Sequence, residues 1–86
     1  MKKISYSDLK DGMYIKEYNY QRDVWWIGKV TIDKRDNNLG MILIDTNANN
    51  SIIYATNNFT VGEICGFYSN SDFYEMTEDE IMVWNI

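Results

Sequence analysis

The chain of 86 residues contains no histidine, no proline and a single cysteine, Cys65. Each shortage removes chemistry. Without histidine there is no Ser-His-Asp or Cys-His nucleophile arrangement, and no imidazole to bind zinc, iron or copper. One thiol can neither close an internal disulfide nor build a thiolate cluster. The five glycines form neither of the common phosphate-cradling loops. Catalysis would have to rest on carboxylates, Tyr, Lys or Cys65. The last lies in the apolar run Ile64-Cys65-Gly66 and reads as a structural thiol rather than a nucleophile. A domain this small has little room for a deep pocket of the usual size, on the order of 300 Å³ or more. The expectation is a protein that is not an enzyme and takes no cofactor.

Long apolar runs are also lacking. No window reaches the length of a membrane span, and after Lys2 and Lys3 the stretch Ser5-Tyr6-Ser7-Asp8 is too polar for the core of a signal peptide. Two sequons, at Asn49 and Asn58, have no export signal to accompany them. The reading is cytoplasmic. What the chain does have is apolar substance. Apolar residues make up 45% and aromatic ones 15%, and each aromatic ring can bury roughly 150–250 Å². That suffices for one domain spanning 1–86. Net charge is −5 and the pI about 4.4. Such a surface repels phosphate backbones and suits a basic protein partner, or simply keeps an aromatic-rich domain soluble.

With no proline, chain reversals fall to Asn, Asp, Ser and Gly. Between them lie short runs of strand composition: Met13–Tyr18, Val24–Ile32, Leu39–Ile44, Ser51–Ala55, Ile64–Tyr68 and Phe73–Met76. In the strongest of these, Val24, Trp26, Gly28, Val30 and Ile32 share one face. Trp25, Ile27, Lys29, Thr31 and Asp33 share the other. The first set is the better core face, so Trp25 is expected to point outward. Thr77-Glu78-Asp79-Glu80 fits a capping box and predicts one helical turn at 77–80. The apolar residues 81–86 are then expected to form a last strand beside Lys3–Tyr6 and to cover the sheet edge. Asp45, Asn47 and Asn49 have the spacing of a calcium loop, but Asn50 stands where glycine is needed and Thr56 where the bidentate Glu is needed. The run therefore reads as an Asn-rich turn, without metal.

The segment Leu9-x-x-Gly12, Asp23-x-Trp25-Trp26-x-Gly28-x-Val30 and Gly40-x-Ile42 resembles the central part of an SH3-like barrel. The resemblance implies a mainly β domain of five to six short antiparallel strands. It also implies that the first Trp of the pair, Trp25, touches the ligand. Two marks of the peptide-binding branch are missing: the Ala-Leu-Tyr-Asp-Tyr stretch has no counterpart, and Leu43-Ile44-Asp45 replaces the Pro-containing end.

Two clusters remain as candidate partner-binding residues. Aromatic rings beyond the needs of the core, Tyr18, Tyr20, Trp25, Tyr68 and Tyr74, suit a protein hot spot. The acidic run Glu75, Glu78, Asp79 and Glu80 suits a basic surface, or a solvated and capped turn. Ten Asn and eleven Ile against two Arg give a composition that resembles the small acidic inhibitors bacteriophages make against host defence nucleases. The expected function is thus a protein-binding module, as an inhibitor of that type occluding a defence protein such as a CRISPR nuclease complex. The alternatives are a nucleotide-sequestering sponge and a peptide-binding adaptor. Direct nucleic-acid binding and membrane association are not expected.

Overall fold

A computed structural model describes residues 1–50 and 59–84. Within them the chain is mainly β, with six strands in one antiparallel sheet: β1 Lys2–Ile4, β2 Tyr14–Asn19, β3 Val24–Asp33, β4 Asn38–Thr46, β5 Ile64–Cys65 and β6 Asp72–Glu75. A short helix, α1, covers Glu78–Val83. The strands lie in the order β1-β6-β2-β3-β4-β5, so β1 and β5 end the sheet among the described residues. The strand expected at Ser51–Ala55 lies outside those residues. Among them no helix is long and apolar enough to cross a membrane.

The ribbon from β2 to β4 follows directly from local chemistry. Val24 to Asp33 is rich in β-branched and aromatic residues, and Asn37 supplies the left-handed conformation that reverses the chain into β4, with φ 60°. Alternation then sorts the side chains. Val24, Trp26 and Val30 enter one core with Leu9, Ile15, Met41, Leu43, Ala48 and Phe73. Ile32, the outermost member of the expected core face, is 46% exposed. Between Ile27 and Gly28 the pairing with β4 shifts, so that Ile27 faces Asp45 and Gly28 faces Leu43. The extra residue, Ile44, is a β-bulge, which increases local twist.

The Asn-rich turn after β4 locks the start of β3. Asn47 accepts the Trp25 amide at 2.8 Å and donates to the Asp23 carbonyl at 3.1 Å. Thr46 donates to the Trp25 carbonyl at 2.7 Å. Asn49 bonds both the amide and the carbonyl of Phe59. Three of the oxygens with calcium-loop spacing are thereby engaged by backbone, since Asp45 also accepts the Thr46 amide.

Two expectations are corrected. Residues 81–83 are helical rather than a closing strand, and the partner of β1 is β6, with Ile4 opposite Phe73. The physical reason is the capping box: Thr77 accepts the Glu80 amide, and the Glu80 carboxylate accepts the Thr77 amide at 3.1 Å. This start is strong enough to carry an unpromising sequence through α1, at the expense of leaving Met82 and Val83 in solvent. The strand expected over Ile64–Tyr68 stops at Cys65, because Phe67 and Tyr68 turn in against the core.

Candidate functional site

Strand alternation places Tyr14, Lys16 and Tyr18 of β2 on the sheet face opposite the main core. Register brings Lys16 beside Ile27 of β3 and Tyr74 of β6, and Tyr18 beside Trp25 and Asp72. Trp25, Tyr18 and Tyr74 therefore meet on one face around the Lys16 side chain. The Lys16 ammonium lies 5.4 Å from the Tyr18 ring centre and 5.8 Å from the Trp25 ring, both within cation–π range. Tyr18 donates to Asp23 at 2.6 Å, across the β2–β3 turn. That bond, with the neighbouring carboxylate charge, raises the phenol pKa and keeps Tyr18 a neutral donor.

Helix α1 bounds this face. Trp84, its C-cap, meets Trp25 edge to face with ring centres 6.2 Å apart. At its other end Glu80 binds the N-terminal ammonium at 3.1 Å. Met1, Lys16, Tyr18, Tyr74 and Glu80 line an open hollow of about 460 Å³. Trp25 thus does face away from the core, as its alternation requires, yet it is half-buried under Trp84 rather than standing in water. Indole pairs of this geometry contribute about 0.5–1.5 kcal/mol beyond their buried area. A double-mutant cycle of Trp25→Ala and Trp84→Ala is expected to return a coupling of that size in chemical denaturation. Strictly additive losses would mean that the helix is not docked on this face.

The other candidate residues divide. Tyr68 does not join the aromatic face: it stacks on buried Trp26 with ring centres 5.1 Å apart, on the core side. Its amide, held by Glu17 at 2.9 Å, fixes it there. Tyr20 stands exposed in the β2–β3 turn. Glu75 alternates with Tyr74 along β6 and so projects from the opposite face, half-buried. The acidic run is therefore not a single surface. Glu78 and Asp79 are exposed in the first turn of α1, whereas Glu80 is committed to its cap and to the N-terminus, bonds that lower its pKa. Their position at the helix start favours the carboxylates electrostatically.

Reasoning from sequence missed Lys16 and Trp84 at this face. Lys16 had a signal in the alternation Tyr14-Lys16-Tyr18. Trp84 had none, because its position depends on the helical path of residues 78–83. Cys65 is half-buried, and burial together with the negative charge of Glu17 pushes its thiol up to about 11. It is a thiol and not a thiolate at neutral pH. Among the described residues no cluster of three or more His, Cys, Asp or Glu side chains could hold a metal ion. Comparison of the chain with known protein families, with curated proteins and with solved structures finds no match to any of them.

Proposed function

We propose that this protein is a non-enzymatic, cytoplasmic binding module that covers a partner protein with the face built from Tyr18, Trp25 and Tyr74 and with the adjoining acidic start of α1. The observation that carries the reading is the convergence of those three rings, from three different strands, around one lysine on a face outside the core. Aromatic rings with a polar rim are the common composition of protein hot spots. Beside the rings, Met82 and Val83 of α1 are 75% and 83% exposed, apolar surface that a partner would remove from water. Glu78 and Asp79, on the same helix, and the net charge of −5 favour a basic partner through electrostatic steering. An SH3-like ribbon would present the first Trp of β3 in this role. The small acidic inhibitor of a host defence protein remains the form of this function that the composition resembles.

The test compares tagged protein with Tyr18→Ala, Tyr74→Ala and the double reversal Glu78→Lys with Asp79→Lys, each used to capture partners from host lysate. A specific partner should be lost at least tenfold with either tyrosine variant, since hot-spot truncations cost about 2 kcal/mol or more. The charge reversal should weaken capture most at low salt. Equal capture by all variants would place the interface elsewhere.

A further inference from the structure

The side chain of Glu17 points from β2 into the core face and is 1% exposed. Its cross-strand neighbours are Trp26 and Phe73, and the next residues inward on its own strand are Ile15 and Asn19, both buried. The Oε2 atom accepts a hydrogen bond from the Tyr68 amide at 2.9 Å, and among the described residues the Oε1 atom has no partner at full hydrogen-bond distance, the Ser71 hydroxyl exerting only a weaker pull on the carboxyl. Of the titratable groups on the strands packed around it, Lys16, Lys29, Asp72 and Tyr74 alternate onto the opposite face, and those on its own side are the Cys65 thiol of β5, the Tyr68 phenol of the following segment and Glu75 of β6, all acids. No cation acts on the carboxyl. An ionised carboxylate is poorly accommodated in such a place.

What this carboxyl holds is a strap, residues 66–71, that links β5 to β6 across the core. Besides the Tyr68 amide, the strap is attached by Asn19 donating to Asn70 at 3.1 Å, by Asn70 donating to Gln21 at 3.2 Å, and by the Tyr68 ring on Trp26. We propose that Glu17 is a proton-operated latch on this strap: the neutral acid keeps residues 66–71 seated over Trp26, and loss of its proton favours their release. Release would bring water to the carboxylate, the one change that relieves a buried charge without a counter-ion. Phe67, Tyr68 and Ser69 of the strap also wall a cavity of about 580 Å³, with Tyr6, Leu39 and Phe73, so the latch would control the shape of that cavity. This face is opposite the proposed partner face, and the inference does not depend on that reading.

Burial raises the Glu17 carboxyl from 4.5 to about 6, against the smaller opposing pull of Ser71 and the Tyr68 amide. Its contribution to closure is therefore complete below pH 4.5 and is lost as pH rises through about 6. The gap between those values corresponds to a roughly 30-fold change in the open-to-closed ratio. Two measurements by NMR test this. In the native protein, the side-chain carboxyl carbon of Glu17 should titrate near pH 6; a midpoint at or below 4.5 would overturn the latch, whatever any variant does. Amide exchange protection at Tyr68 and at Ser71, whose amide bonds the Tyr68 carbonyl at 3.3 Å, should fall by about eightfold from pH 5 to pH 8 and stay level in Glu17→Gln. It should also lie well below that of Val30, whose amide bonds the Met13 carbonyl at 2.7 Å. An equal fall in the variant, or strap protection equal to that of Val30, contradicts local release.

Discussion

Trp26→Ala is expected to destabilise the fold by about 3–5 kcal/mol, the range for truncating a buried tryptophan. The whole domain, at its length, holds on the order of 4–13 kcal/mol. The indole is 1% exposed and lies between the stacked Tyr68 ring and the Phe59 ring, whose centre is 5.7 Å away. Its removal opens a cavity under the strap and beside Val24, where β-sheet backbone on one side cannot collapse to fill it. Thermal unfolding should move down by about 4–8 °C for each kcal/mol lost. Trp25→Ala, one residue away, should shift it far less, because that ring is half-buried against one helix end. Equal shifts for the two would contradict the alternation along β3.

Gly28→Ala is the second large effect, and its cause is crowding. A methyl group built at Gly28 runs into the Met41 side chain and the Ile42 carbonyl oxygen of the neighbouring strand. Methionine can move aside. The carbonyl cannot, since it belongs to the β3–β4 ladder. The position is where pairing shifts at the Ile44 bulge, so the two strands approach without a side chain between them. Overpacking of this kind costs about 1–3 kcal/mol and more where backbone must yield. The upper end is expected here, measured as the midpoint of urea unfolding at unchanged slope. A loss below about 1 kcal/mol would show that the bulge has slack to accommodate the methyl.

Much of β2 to β4 was legible in advance because the signals there are local. The alternation from Val24 to Val30 separates two faces, and the Asn and Asp residues at 33–38 mark a hairpin; register follows from these once the strands meet. The same alternation indicated that Trp25 and Trp26 have opposite surroundings. The end of the chain departs from its sequence expectation for a corresponding reason. Composition favours strand over 81–86, yet the capping residues Thr77 and Glu80 bias the start toward helix, and only the position of Trp84 against Trp25 resolves the competition. Tyr68 reads as a surface ring because its residue type suits one. Nothing local signals that a carboxyl group fifty-one positions earlier holds its amide.

Sequence alone determined a mainly β, acidic, aromatic-rich domain without the residues of histidine or thiolate chemistry. It also placed Trp26 inside and Trp25 on the reverse face. These properties depend on composition and on a side-chain period of two, which operate within a few residues. Only tertiary structure decided which rings share a surface, that α1 covers part of it, and that Glu17 lies buried beneath the 66–71 strap without a cation. Those are facts of register and of contacts between distant segments, set by how strands from both ends of the chain pair into one sheet.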